Sequence, residues 1–261
     1  MIRKYIATSL FATLLVASSA SATTTINDGY HGGTANNPFW LNQDVIGLTE
    51  HWDVSKMEVN LDPTTNTFTV SVFSQFFDNV GRRGVELGDL FISVDGWSPF
   101  GAAPYDDDNY LNGEDWEIAA VLDQHGAGHS ADDLAGESFL GKSGTINAYR
   151  VDPGKIELSS IADGDYRVGQ EVQYNPGLDQ AFASGTWSIT DVLGDPYDVL
   201  TISFIVPEGF FSQFTNFGFH WSMTCGNDVI EGGADVPEPS TMALMGMGLL
   251  GIARRRARKR G

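Results

Sequence analysis

A loop dense in carboxylates and aromatic rings lies between Asp95 and Glu117 and holds the residue types best suited to chemistry in this chain. Calcium ions take about six to eight oxygen ligands, so a carboxylate-rich loop can wrap one. The candidate calcium ligands are Asp106, Asp107, Asp108, Glu114 and Asp115. Their spacing is not that of an EF-hand, because Leu111 stands where that motif requires glycine. The loop therefore predicts either an irregular structural Ca²⁺ site or an acidic, solvated surface.

Aromatic side chains of the same loop could contact a glycan, since exposed rings can stack on sugars. The candidate glycan contacts are Trp97, Tyr105, Tyr110 and Trp116. A carbohydrate-binding module would need them exposed on one concave surface. This is the first alternative function that the sequence leaves open.

A polysaccharide-active enzyme is the second alternative, because glycosidases need two carboxylates about 5 to 9.5 Å apart. Glu114 and Glu117 form the nearest pair in the loop. On a strand their odd separation would place them on opposite faces, which argues against a shared catalytic site. The sequence also contains no nucleophile-elbow, phosphate-loop or zinc-finger spacing. We therefore expect the protein not to be an enzyme.

Two histidines and one cysteine complete the reactive residue types. His125 and His129 could share a metal ion on a helix, but the glycines between them favour a mobile loop. Cys225 accompanies His220 and Asp228, which are the residue types of thiol catalysis, yet it follows the strand that carries His220. A half-buried structural thiol is therefore expected.

The elements that must position these residues are β-strands. Apolar residues alternate with polar ones on both sides of a turn at residues 62–66, which predicts a β-hairpin. Similar alternation recurs at 90–94, 156–158, 200–206 and 217–223. The pattern predicts an all-β fold, an antiparallel, jelly-roll-like β-sandwich of roughly eight to eleven strands. Long loops are expected at residues 96–116 and 122–143.

Residues 1–22 have the order of a secretory signal peptide. Arg3 and Lys4 precede an apolar stretch, and small residues precede a cleavage position after Ala22. The chain is therefore expected to be exported.

Between the targeting ends, the composition predicts a flexible leader at 23–38, the sandwich domain at 39–230 and a linker at 231–235. Residues 23–253 contain seven basic and 34 acidic residues, which gives this part of the chain a formal charge of −27. Like charge makes nucleic acid and anionic membrane surfaces poor partners, whereas divalent cations and neutral polymers are compatible ones. Cys225 is the only cysteine, so no internal disulfide can form.

The segment 236–261 has three parts in a fixed order. Prolines flank Glu238, an uncharged apolar run covers residues 241–253, and a basic cluster follows. The cluster consists of Arg254, Arg255, Arg256, Arg258, Lys259 and Arg260. As a helix, the run would cover about 20 Å of a hydrocarbon core of about 30 Å, so it predicts a short transmembrane helix with its basic end in the cytoplasm.

These three parts together resemble the PEP-CTERM sorting signal, which a membrane-embedded exosortase reads in Gram-negative bacteria. The resemblance implies recognition through Pro237, Glu238 and Pro239, transient residence in the inner membrane, and delivery to the cell surface or extracellular matrix. It also implies a structural or adhesive role in a biofilm or exopolysaccharide layer. An ordinary C-terminal membrane anchor is the alternative for this segment.

Overall fold

Strands dominate the described part of the chain, which is residues 22–161 and 164–237 of the computed structural model. The strands are β1 (Ala22–Asn27), β2 (Thr34–Ala35), β3 (Val54–Asp62), β4 (Thr67–Ser74), β5 (Leu90–Ser93), β6 (Ile118–Leu122), β7 (Ser143–Arg150), β8 (Ile156–Leu158), β9 (Arg167–Val168), β10 (Glu171–Tyr174), β11 (Ala183–Thr190), β12 (Asp198–Ile205), β13 (Asn216–Ser222) and β14 (Val229–Asp235). The helical segments are α1 (Thr49–Trp52) and 3-10 turns at Pro38–Trp40, Phe76–Asp78, Arg82–Gly84, Pro153–Lys155 and Phe211–Gln213. Among the described helices, none is long and apolar enough to cross a membrane.

The predicted hairpin is formed by β3 and β4, whose side chains alternate between buried and partly exposed positions. Asp62 begins the turn, accepting hydrogen bonds from the Thr64 amide and the Thr65 hydroxyl, both at 2.8 Å. Asn66 ends it with a φ of 56°, a left-handed conformation that asparagine tolerates better than most residues. Turn chemistry and the apolar alternation thus specify the same register.

Ten strands form one antiparallel sheet in the order β1-β3-β4-β12-β11-β7-β6-β5-β13-β14. The sheet is nearly closed, because its two edge strands approach each other. A Cβ added at Gly232 of β14 would lie 2.5 Å from the Ile26 side chain of β1, so glycine permits this approach. The predicted all-β, antiparallel class with long loops is confirmed. A sandwich would have two separate sheets, whereas here ten strands form one curled sheet.

Two predicted flexible segments are instead parts of this sheet. Strand β1 begins at Ala22, the last residue of the predicted signal peptide, and continues into the expected leader; it pairs with β3, with Ile26 opposite Met57. Residues 231–235, the expected linker, belong to β14 and pair with β13. Their glycines and polar residues suggested flexibility, but hydrogen bonding to a neighbouring strand outweighs that weak local preference.

The main hydrophobic core lies inside the curled sheet and is rich in phenylalanine. Phe68 is fully buried at its centre. A smaller apolar cluster on the other side of the sheet consists of Phe91, Trp116, Ala119 and Tyr174. The predicted signal peptide before Ala22 and the predicted sorting segment after Pro237 lie outside the described residues.

Candidate functional site

The long loop between β5 and β6 folds back against β14 and brings three carboxylates together. Oxygen atoms of Asp108, Glu114 and Glu231 all lie within 4.8 Å of one another. We call these three residues the carboxylate triad. Two of the five predicted calcium ligands therefore meet, and the third member comes from the segment predicted as a linker.

The other three predicted calcium ligands lie outside the triad. Asp106 contacts Nδ1 of His31 at 3.1 Å, and the backbone oxygen of Asp107 accepts a hydrogen bond from the Asn112 amide. Asp115 is exposed beside the triad, on the wall of a groove. Proximity in sequence thus did not identify the acids that converge in the fold.

Glu231 is held in place by two aromatic groups, the buried ring of His220 and the partly buried indole of Trp97. Its Oε1 lies 2.7 Å from Nδ1 of His220, its cross-strand partner, and its Oε2 accepts a hydrogen bond from the Trp97 indole at 3.1 Å. Nε2 of His220 lies 2.6 Å from the backbone oxygen of Glu171, which can only accept, so this nitrogen carries a proton. His220 thereby fixes the orientation of Glu231.

Asp108 is almost fully buried, with 1% of its surface exposed. Its Oδ2 accepts a hydrogen bond from the Tyr30 hydroxyl at 3.0 Å, whereas its Oδ1 has no partner among the described residues. Oε2 of Glu114 is likewise buried without a partner there. A Cβ added at Gly113 would lie 2.4 Å from Oδ1 of Asp108, so glycine leaves the space that this carboxylate occupies. The triad thus contains two buried acceptor oxygens for which the described part of the chain supplies no donor.

Burial and mutual repulsion raise the pKa values of the acids around this site. Burial, followed by the charge of Asp108, raises the pKa of Glu231 well above its ordinary range. Burial, followed by the charge of Glu231, raises the pKa of Glu114 to about 7. Burial also raises the pKa of Glu171 to about 7 and lowers that of His220. Ionising all of these acids together is therefore unfavourable unless a cation compensates.

Two spaces adjoin the triad. A small cavity, too narrow to hold a water molecule, lies among Tyr30, the triad, Trp116 and Glu171. A larger open groove of about 590 Å³ shares Glu114, Trp116 and Glu171 with it and continues over the end of β7 and β8. The groove falls within the roughly 300 to 1,000 Å³ typical of small-molecule sites, whereas the small cavity is far below that range.

The four predicted glycan contacts do not form one exposed surface. Trp116 is buried, with its ring 5.4 Å from that of His220, because the loop packs it into the smaller apolar cluster. Trp97 packs edge-on against Tyr105, with the two ring centroids 5.6 Å apart, and its indole N–H donates a hydrogen bond to Glu231. Tyr110, half-exposed on the wall of the groove, remains available to a ligand.

The members of the remaining predicted pairs have partners of their own, although Glu114 and Glu117 line the same groove. Nε2 of His125 lies 2.7 Å from the buried carboxylate of Asp89, while Nδ1 of His129 lies 2.7 Å from Asp133. Each histidine thus has its own carboxylate. Glu117 uses its carboxylate to accept the Val94 amide at 2.8 Å, a structural role.

Cys225 is fully buried rather than half-buried, and His220 is bonded to glutamates instead of to the thiol. Burial raises the pKa of Cys225 to about 12, so almost no thiolate exists at neutral pH. We expect iodoacetamide to leave the folded protein unlabelled at pH 7 and to label it fully in denaturant, as measured by mass spectrometry. Rapid labelling of the native protein would contradict this burial.

A second acidic group is formed by residues near the N-terminal end of the described chain. Carboxylate oxygens of Asp28, Asp44 and Asp53 are within 4.8 Å of one another, and all three residues are partly exposed. Burial, followed by the charge of Asp44, raises the pKa of Asp28 to about 8. The Tyr197 hydroxyl donates to Asp53. Oδ1 of Asp28 and Oδ1 of Asp44 are also buried without hydrogen-bond partners among the described residues, but all three residues of this group are partly exposed, whereas Asp108 and Glu231 of the triad are buried.

Sequence reasoning missed Tyr30, Glu171 and Glu231 as members of the site. The sequence nevertheless contained a signal for Glu231. If β13 and the segment after it form a hairpin, His220 lies directly opposite Glu231, as it does in the structure. No comparable signal existed for Tyr30, which was placed in the expected leader.

No curated protein and no solved structure is significantly similar to this chain. Residues 235–259, which begin at the last residue of β14, match the family model described as the PEP-CTERM protein-sorting motif. That motif implies processing by an exosortase and a location at the cell surface or outside the cell. The chain is therefore a PEP-CTERM domain-containing protein.

Proposed function

We propose that this exosortase-sorted protein has a structural or adhesive role in an exopolysaccharide or biofilm matrix. The observation that carries the proposal is the sorting motif at residues 235–259, which follows an acidic, strand-rich body. The formal charge of −27 over residues 23–253 supports it, because a polyanion stays soluble and can be bridged to other polyanions by divalent cations.

Replacing Glu238 with alanine tests the sorting step. We expect Glu238→Ala to accumulate as an unprocessed precursor in the inner membrane, because the exosortase would lose its recognition element. Cell fractionation and immunoblotting measure the effect, with Glu208→Ala, an exposed acid in a turn of the body, as the matched control. Normal surface delivery of Glu238→Ala would exclude this sorting mechanism.

Carbohydrate binding in the groove is a second candidate function. The groove has the volume of a ligand site, and it presents the half-exposed ring of Tyr110 beside Glu114, Asp115 and Arg150. A sugar could stack on the ring while its hydroxyl groups donate to the carboxylates. This candidate needs one aromatic residue instead of the four that the sequence suggested.

Tyr110→Ala should weaken binding of a matrix polysaccharide at least about tenfold, because exposed aromatic residues often contribute most of the affinity at an interface. Affinity electrophoresis in gels containing the polysaccharide measures this change. Phe100→Ala is the matched control, since Phe100 is an equally exposed ring of the same loop that does not line the groove. Equal mobility of the two variants would count against the groove as a glycan site.

A further inference from the structure

We propose that the carboxylate triad, Asp108, Glu114 and Glu231, binds one calcium ion in the small cavity behind the groove. The primary observation is geometric: an oxygen of each residue lies within 4.8 Å of an oxygen of the other two. Three carboxylates at this separation could surround a single cation with little rearrangement. This site is independent of the proposed role in a matrix.

The unpartnered oxygens point to a ligand on independent grounds. Buried polar atoms are nearly always hydrogen-bonded, so each exception calls for an explanation such as a bound ion. Asp108 is 1% exposed, and its Oδ1 has no partner in the described part of the chain, although Oδ2 is bonded to Tyr30. Oε2 of Glu114 is also buried and has no hydrogen-bond partner among the described residues. A cation between the carboxylates would satisfy both atoms.

The groups behind the triad are those expected around metal ligands. Carboxylates that bind metals are usually oriented by hydrogen bonds from neighbouring side chains. Here His220 and Trp97 position the two oxygens of Glu231, and Tyr30 positions Asp108. Oε2 of Glu231 and Oδ2 of Asp108 each accept one hydrogen bond, from Trp97 and Tyr30 respectively, and so retain a lone pair for a metal. The orientation of the triad is therefore compatible with ion binding.

The chemistry of the ligands favours calcium. The triad supplies only oxygen, and both ring nitrogens of His220 are already engaged, which disfavours zinc and other nitrogen-seeking metals. Magnesium usually keeps several waters and binds through one or two carboxylates, whereas calcium accepts larger sets of protein oxygens. The small cavity is too narrow for a water molecule, so it has no room for a sugar or a peptide.

The position of the triad gives the ion a structural consequence. Asp108 and Glu114 belong to the long loop between β5 and β6, while Glu231 belongs to β14. A bound ion would link that loop to β14 through shared coordination. The last residue of β14, Asp235, is also the first residue of the sorting motif. Calcium would thereby order the loop that also forms one wall of the groove.

Terbium luminescence tests the location of the site. Tb³⁺ substitutes for Ca²⁺, and nearby tryptophans sensitise its emission; Trp116 lines the cavity and Trp97 contacts Glu231. The full chain, purified in detergent and stripped with EGTA, should show sensitised emission that excess Ca²⁺ displaces and Mg²⁺ displaces poorly. Glu114→Gln and Asp108→Asn should each bind at least about tenfold more weakly, since loss of groups that merely support a metal ligand costs about 10- to 100-fold.

Controls distinguish the triad from other acids. Asp107→Asn, in the same loop, and Asp44→Asn, in the second acidic group, should retain the sensitised emission. Thermal unfolding provides a second readout: Ca²⁺ should raise the Tm of the wild type and of both controls, and should raise that of Glu114→Gln much less. The proposal fails if Ca²⁺ leaves the wild-type Tm unchanged, or if Asp44→Asn abolishes binding while Glu114→Gln retains it.

Discussion

Replacing Phe68 with alanine should destabilise the fold by about 3 to 5 kcal/mol, the usual cost of removing a buried phenylalanine. Phe68 is fully buried, and its ring lies 5.1 Å from Phe204, 4.7 Å from Phe211 and 5.1 Å from Phe217. These rings belong to β12, a 3-10 turn and β13, so Phe68 joins β4 to segments distant in sequence. Chemical denaturation followed by tryptophan fluorescence measures the loss.

Phe39→Ala is the matched control, because Phe39 is 76% exposed and contacts one neighbouring ring, Trp40. We expect this change to cost less than about 1 kcal/mol. If the two variants were equally stable, the phenylalanine cluster would not be a major source of stability. The comparison separates burial from the mere removal of an aromatic ring.

The sequence predicted the class of the fold better than it predicted the two edge strands of the sheet. Alternation such as Met57, Val59 and Leu61 reports a buried face directly, because side chains of a strand point alternately to its two sides. Edge strands carry less of that signal: β1 reads Ala-Thr-Thr-Thr-Ile-Asn and β14 contains two glycines. Their order depends on pairing with a distant strand, which local composition does not encode.

The candidate site was only partly predictable for a related reason. Asp108 and Glu114 are near in sequence and were both identified as candidate ligands. Asp107, which precedes Asp108 directly, was also a candidate but lies outside the triad, and Glu231 was assigned to a linker. Glu231 lies more than a hundred residues from Glu114 along the chain. Only the topology, with β5 between β6 and β13 and with β14 beyond β13, brings the loop to Glu231.

Trp116 shows how the same topology corrected a surface prediction. An aromatic ring in an acidic loop suggested exposure, yet the loop folds inward and packs the ring beside His220. Burying the ring removes apolar area from water, and it also shields the triad from solvent. The part of the loop around Trp116 therefore packs against the sheet, while Tyr110 of the same loop remains exposed on the wall of the groove.

Replacing Asp198 with asparagine should stabilise the fold at pH 8 and change little at pH 4. Burial, followed by the charges of Asp78 and Asp191, raises the pKa of Asp198 from 3.8 to about 6. The folded state therefore binds the proton more tightly than the unfolded chain, so the unfolding free energy falls as the pH rises from about 4 to about 6 and remains lower above it. At about 1.4 kcal/mol per pKa unit, the gain at pH 8 is at most about 3 kcal/mol.

Asp62→Asn should have the opposite pH dependence and provides the control. Hydrogen bonds from the Thr65 hydroxyl and the Thr64 amide lower the pKa of Asp62. Its ionised form therefore stabilises the fold above the unfolded pKa and loses this effect as the pH falls through the folded one. Urea denaturation at pH 4, 6 and 8 should show Asp198→Asn gaining stability with pH relative to the wild type and Asp62→Asn losing it. A constant difference for Asp198→Asn at all three pH values would mean that its charge is not what destabilises β12.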